Sequence, residues 1–282
     1  MPRQRIAPVA ALAGLGVLAV ALALLARSTG EGLEERRAAV LDAGTWAGDG
    51  GGPPEASGLD AAIAHGAGED AAPRGERYAC ALPDLPVARD ARCDAGAPYP
   101  ACRWQLPDTA AAGGLYVVWR STTPEHRWAR PGLVTLVLAA AREYQGRWPG
   151  EHLTIGDLDA AGPRHQTHDR GVDVDLYLEH AMLDVNEGPH RYVDNYASRT
   201  PAEVASLRER VTDLARILAT CSRGRLRIYY NDPEVLEPFV AWFAEQGFVS
   251  DVGPAMTMHN RLHRFHFHMT VPEDLPPLGG PG

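Results

Sequence analysis

The chain lacks lysine altogether and is poor in cysteine and aromatic residues. All 27 basic residues are arginines, and 36 acidic residues leave a formal net charge of -9. Nucleic-acid binding needs clustered basic residues to neutralise phosphates, whereas these arginines are scattered among acids, so the composition argues against it. With 282 residues, 45% of them hydrophobic and only 7% aromatic, the chain can form one substantial core rather than two.

The four cysteines lack CxxC spacing. They lie at Cys80, Cys93, Cys102 and Cys221. An even number without paired spacing is typical of disulfides formed outside the cytosol and gives poor support to a four-thiolate zinc site. We expect one or two disulfides, and the spacing does not choose among the three full pairings that four cysteines allow.

The first 26 residues have the pattern of an export signal. Arg3 and Arg5 precede an apolar run from Ile6 to Ala26, which at about 20 residues is long enough to span a bilayer. The pattern predicts either a cleaved signal peptide or a retained signal anchor at 1–26. The remaining chain would then lie in the periplasm or cell envelope, with membrane contact only through an uncleaved N-terminal segment.

Composition divides the rest of the chain into three parts. Residues 27–77 are rich in glycine, alanine and proline and lack apolar periodicity, which predicts a disordered linker. The segment 276–282, PPLGGPG, predicts a flexible tail. Between them, residues 78–275 show the mixed periodicity of a folded domain.

Short strand patterns and amphipathic helices are interspersed within that domain. Helices are predicted after prolines at 131, 201 and 233. Strands are predicted at 115–119, 152–155, 172–177, 226–230 and 264–270, and a loop that contains Asn186, Arg191 and Tyr192 is predicted after the strand at 172–177. This pattern predicts an α+β fold in which a small antiparallel sheet is flanked by helices.

Two histidine-rich segments stand out, HQTHDRGVDVD at 165–175 and HRFHFH at 263–268. Zinc favours imidazole nitrogen and carboxylate oxygen, and a hydrolytic zinc site uses three protein ligands. His168, Asp175 and His268 form a suitable set, which predicts a metal-dependent hydrolase with Zn²⁺ on a sheet face. The segments lie about 90 residues apart, so this prediction requires that they meet in space.

Strand periodicity supports the pairing of these segments. In 172–177 the period of two places Asp173 and Asp175 on one face, and in the final strand it places His266 and His268 together. The same period predicts that Phe265, Phe267 and Met269 face the core. A lone His-x-His pair also fits surface histidines on an amphipathic strand, but the second segment favours the metal site.

The signature H-x6-D followed by H-x-H resembles that of the penicillin-insensitive murein endopeptidases, within the lysostaphin, D-alanyl-D-alanine metallopeptidase and hedgehog group. Here it runs from His168 to Asp175 and continues at His266-Phe267-His268. The resemblance covers roughly residues 115–271 and includes RWPGEHLTIGDLD at 147–159. It implies that zinc is held by His168, Asp175 and His268, and that His266 acts as the base or stabilises the oxyanion.

Further residues gain roles from the resemblance. His165 and His263 each precede a motif histidine by three residues, as in the murein endopeptidase branch, and are candidates for substrate contact, proton transfer or extra coordination. Asp173 shares the ligand face and either orients a ligand imidazole or is satisfied by backbone amides at the strand end.

The resemblance implies hydrolysis of the D-alanyl–meso-diaminopimelate cross-link in peptidoglycan, with cross-linked peptides as partners. Dipeptidase and carboxypeptidase relatives carry a glutamate three residues before the last ligand, where this chain has Phe265. That difference favours an endopeptidase over a D-alanyl-D-alanine carboxypeptidase. A catalytically silent zinc-containing module that binds peptidoglycan is the alternative of another class.

Overall fold

The computed structural model describes residues 78–93, 96–159, 168–188 and 191–279. The predicted signal segment at 1–26, the predicted linker at 27–77 and His165 lie outside these residues. Among the described residues, none of the helices combines the length and the apolar character that a membrane span requires.

The described residues contain eleven strands and three α-helices. The strands are β1 Ala88–Arg89, β2 Trp104–Gln105, β3 Tyr116–Val118, β4 Trp128–Ala129, β5 Leu153–Ile155, β6 Asp173–Tyr177, β7 Asp184–Gly188, β8 Arg191–Asp194, β9 Arg227–Tyr229, β10 Met256–Thr257 and β11 Phe267–Thr270. The helices are α1 Pro131–Arg147, α2 Pro201–Cys221 and α3 Pro233–Glu245.

A six-stranded sheet in the order β10-β9-β11-β6-β5-β3 forms the centre of the domain. Its four inner strands pair antiparallel, and the two edge strands β10 and β3 each pair in parallel with their neighbour. A three-stranded antiparallel sheet, β1-β2-β4, and the hairpin β7–β8 are separate. The α+β prediction is therefore confirmed, and the edge strands add parallel pairing to it.

Each helix begins at a proline, as the sequence predicts. Proline suits the first helical position because its fixed φ matches the helix and its missing N–H has no partner there in any case. Helix α2 adds a capping box between Thr200 and Glu203, and the Asp232 side chain caps α3. The apolar helix faces join the inward residues of the strands in one hydrophobic cluster.

Two disulfides select one of the three possible pairings. Cys80 is bonded to Cys221, and Cys93 to Cys102. The first bond joins the start of the domain to the last residue of α2. Because disulfides persist in oxidising compartments, this pair indicates an extracytoplasmic location.

The C-terminal segment that the sequence predicts as a flexible tail begins in contact with the domain. The backbone N–H of Leu278 donates a hydrogen bond to the hydroxyl of Thr135 in α1. The Leu278 side chain also packs against the hydrophobic cluster.

Two sequence predictions near the site were wrong. The segment after β6 was expected to be a loop but contains the hairpin β7–β8. The final strand was expected from residue 264 but begins at Phe267, because Arg261–Arg264 form a 3₁₀ turn and Phe265 has a helical backbone at φ -116° and ψ -2°. This break in the extended backbone interrupts the period of two, so Phe265 packs on Tyr177 instead of facing the core.

Candidate metal centre

Strands β6 and β11 bring the two histidine-rich segments together. They pair antiparallel, with His268 opposite Asp175 and Thr270 opposite Asp173. Val174, Leu176, Phe267 and Met269 are fully buried in the core. Because side chains alternate along a strand, the aspartates of β6 and His268 lie together on the opposite face of the sheet.

His168, Asp175 and His268 form a triangle of potential ligand atoms, and all three residues are buried. His268 Nδ1 lies 3.2 Å from His168 Nε2 and 3.1 Å from Asp175 Oδ1, and the third side, from His168 Nε2 to Asp175 Oδ1, measures 3.5 Å. Bonds of about 2.0–2.1 Å in a tetrahedral zinc site separate the ligand atoms by about 3.3 Å. The triangle therefore has the size of one face of a tetrahedral metal site.

Charge within the triangle suits a cation. Burial favours a neutral carboxyl at Asp175, but the charge of His266 and hydrogen bonds with His168 and His268 hold its pKa well below the ordinary value. Burial likewise opposes charge on His268, yet hydrogen bonds with Asp173 and Asp175 raise its pKa to about 9. Asp175 is thus an ionised potential ligand, and a metal ion would compete with a proton at His268.

His266 lies beside this triangle and outside the group of three. Its Nε2 is 3.5 Å from Asp175 Oδ1, and its side chain is buried. The ring also contacts Tyr177 and His263, each at a centroid distance of 5.2 Å. His266 is therefore close enough to act on a molecule bound at the triangle, and its ring packs on Tyr177 and His263.

His263 extends the cluster towards the surface. Its ring lies 5.7 Å from that of His268, and burial together with the charges of His266 and His268 lowers its pKa to about 3. Its Nδ1 lies 3.3 Å from Nδ1 of His259, whose ring stacks on Tyr229.

His259 also belongs to this cluster, although sequence reasoning did not select it as a site residue. The signal in the sequence was the i, i+4 spacing of His259 and His263 across a helical turn. Asn231 holds this turn in place, since its side chain accepts from the His259 N–H and donates to the carbonyls of His259 and Asn260.

Asp173 faces the far side of the His268 ring. Its Oδ1 lies 3.5 Å from His268 Nε2 and accepts a hydrogen bond of 2.6 Å from the hydroxyl of Thr270. These contacts are those expected of a residue that orients a ligand imidazole. They differ from the alternative in which backbone amides satisfy the carboxylate.

A cavity of about 590 Å³ lies next to the histidine cluster. Tyr177 and Phe265, which both contact the His266 ring, line it on the side of the metal centre. The end of β3 and the hairpin β7–β8 form its other walls, and Trp119 stacks on Tyr177 at 4.6 Å. The sequence did not indicate this cavity, because two of its walls depend on the unpredicted hairpin and on the turn at Phe265.

Comparisons with family models, curated proteins and solved structures gave no match to this chain.

Proposed function

We propose that the protein is a zinc-dependent D,D-endopeptidase that hydrolyses D-alanyl–meso-diaminopimelate cross-links in peptidoglycan. The observation that carries this proposal is the buried triangle of His168, Asp175 and His268 with His266 at its side. The H-x6-D and H-x-H spacing supports the reaction class. The two disulfides support a cell-envelope location, where peptidoglycan is found.

Zinc held by the three ligands would activate a water molecule for attack and polarise the scissile carbonyl. Asp175 contributes a full negative charge to the site, since its low pKa keeps it ionised. His266 would take the proton of the attacking water through Nε2, the atom that faces Asp175. It could return that proton to the departing amine.

The cavity supports a polymeric peptide substrate. It is large enough for several residues of an extended peptide, and two of its lining residues, Tyr177 and Phe265, contact the His266 ring. Side chains of both charges line it, including Glu179, Glu187 and Arg120. Such a lining suits a stem peptide, which carries amines as well as carboxylates.

Phe265 favours an endopeptidase over a carboxypeptidase. It occupies the position at which the carboxypeptidase relatives carry a glutamate, and it lies against the His266 ring at 4.5 Å. The side chain here offers an apolar surface and no proton-transfer group, so His266 is left as the residue for that task.

The test is mass spectrometry of purified cross-linked muropeptide dimers incubated with the full chain. We expect monomers to appear, to cease on chelation and to return with zinc. Loss of only a terminal D-alanine would indicate the carboxypeptidase instead. Unchanged dimers in the presence of zinc-loaded protein would favour the silent binding module.

A further inference from the structure

Two adjacent rows of side chains cross the site face of the sheet. In the first row, strand register aligns Tyr229, His268 and Asp175. In the second it aligns Arg227, Thr270 and Asp173, two residues further along each strand. Because residues two apart in a strand share a face, the second row lies directly beside the first.

The second row is a continuous hydrogen-bonded chain. Arg227 Nη2 donates to Thr270 Oγ1 at 3.3 Å, and Thr270 Oγ1 donates to Asp173 Oδ1 at 2.6 Å. A guanidinium can only donate and a carboxylate can only accept. The single hydroxyl proton of Thr270 is therefore committed to Asp173.

The acceptor at the end of these hydrogen bonds favours one tautomer of neutral His268, which is the form that a metal ion binds. Asp173 Oδ1 lies 3.5 Å from His268 Nε2 and, as an acceptor, favours the proton at that nitrogen. The lone pair of Nδ1 then points to the side where His168 Nε2 and Asp175 Oδ1 lie. We propose that Thr270 and Arg227 are positioning residues for the metal centre, because they hold Asp173 where it fixes the tautomer and orientation of His268.

Burial protects the hydrogen bonds between Arg227, Thr270 and Asp173 from competition by water. Thr270 is 4% exposed and Asp173 is 2% exposed, so water has little access to replace a lost hydroxyl. Removing the Thr270 hydroxyl frees Asp173 to rotate away from His268. Loss of a group that contacts a ligand directly typically weakens metal binding by about 10- to 100-fold, and Thr270, one contact further out, should account for a smaller part of such a loss.

The test measures zinc affinity of the full chain by competition with a chromophoric chelator. Thr270→Val keeps the shape and β-propensity of the side chain but removes the hydroxyl, and we expect zinc binding to weaken by about tenfold, which is less than the loss in Asp173→Ala. Thr270→Ser retains the hydroxyl and should bind zinc within about threefold of the wild type. Circular dichroism and the urea midpoint of the metal-free forms show whether each variant folds.

A double-mutant cycle with Asp173→Ala identifies the route of the effect. If Thr270 acts through Asp173, the double variant should bind zinc no more weakly than Asp173→Ala alone. The proposal would be overturned if the losses of zinc affinity in the two single variants add up in the double variant, or if Thr270→Val binds zinc with wild-type affinity. If Thr270→Val does not fold, Arg227→Gln replaces it, and the expected result is weaker zinc binding that Asp173→Ala again makes redundant.

The inference rests on the proposed metal centre but not on the substrate. Zinc affinity is measured without peptidoglycan, so its outcome is separate from that of the muropeptide assay. A wild-type chain that binds zinc yet leaves cross-linked dimers intact would refute the endopeptidase and leave the positioning role standing. A wild-type chain that binds no zinc would refute both.

Discussion

The raised pKa of His268 predicts that metal binding releases a proton at neutral pH. In the metal-free protein this pKa is about 9, because hydrogen bonds with Asp173 and Asp175 outweigh the cost of burying the charge. A zinc ion needs the Nδ1 lone pair, so it must displace the proton that faces Asp175. The Nε2 proton stays with Asp173.

The size of the effect follows from the distance between pH and pKa. At pH 7 only about 1 molecule in 100 has His268 deprotonated before zinc arrives, so the apparent Kd should be about 100-fold weaker than its high-pH limit. It should tighten by about tenfold per pH unit from pH 7 to pH 8 and level off above pH 9. An imidazole with the ordinary pKa would give almost no change over this range.

Stability of the metal-free protein should change in the opposite direction. The folded-state pKa of His268 lies above the unfolded value of 6.5, so its protonation stabilises the fold fully below pH 6.5. That contribution is lost as pH rises through about 9. The gain in unfolding free energy on adding zinc should consequently grow between pH 7 and pH 9.

Two measurements test this reasoning. Chelator competition from pH 6.5 to pH 9.5 gives the Kd profile, and calorimetry at pH 7.5 in buffers of different ionisation enthalpy counts the protons released. We expect close to one proton per zinc ion from this group. Asp173→Asn is the matched variant, because it removes a charge that raises the pKa and should move the plateau to lower pH. A Kd that stays constant from pH 7 to pH 9, with no proton release, would refute the argument.

Four further predictions concern two histidines of the candidate site and the two disulfides. His168→Ala should lose both bound zinc, measured by elemental analysis, and muropeptide cleavage. His266→Ala should retain zinc and lose most of its turnover. An active His266→Ala protein would show that His266 is not the base. Breaking Cys80–Cys221, which closes a sequence separation of 141, should lower the unfolding free energy in urea by about 5 kcal/mol. Breaking Cys93–Cys102, with a separation of 9, should cost about 2.5 kcal/mol, and a larger loss there would contradict the loop-entropy explanation.

The sequence predicted the elements whose signals are local. Prolines at 131, 201 and 233 begin the three helices because the residue's own geometry suits that position. The alternation in 172–177 predicted the strand β6 and the shared face of Asp173 and Asp175, since one face must be apolar for the core.

Features that depend on distant partners were not predictable in this way. The hairpin β7–β8 has polar residues at 184–188 and little apolar alternation. It is held instead by contacts with the turn before β11, where Arg264 pairs with Asp184 at 3.2 Å and Arg261 lies over the Tyr192 ring. The helical backbone at Phe265 likewise arises from that turn, and it redirected a residue that a continuous strand would have placed in the core.

In the candidate site, too, the residues recognised by their own chemistry could be predicted, whereas those placed by strand register could not. Few residue types other than histidine and aspartate bind metal ions, so His168, Asp175 and His268 could be selected as candidate ligands from the sequence alone. Thr270 and Arg227 carry no such chemical signal, and only the antiparallel register of β9, β11 and β6 places them in line with Asp173. The register brings these groups together, and because Arg227 can only donate and the Thr270 hydroxyl has one proton, that proton goes to Asp173. Asp173 then accepts from Nε2 of neutral His268, which leaves Nδ1 facing His168 and Asp175.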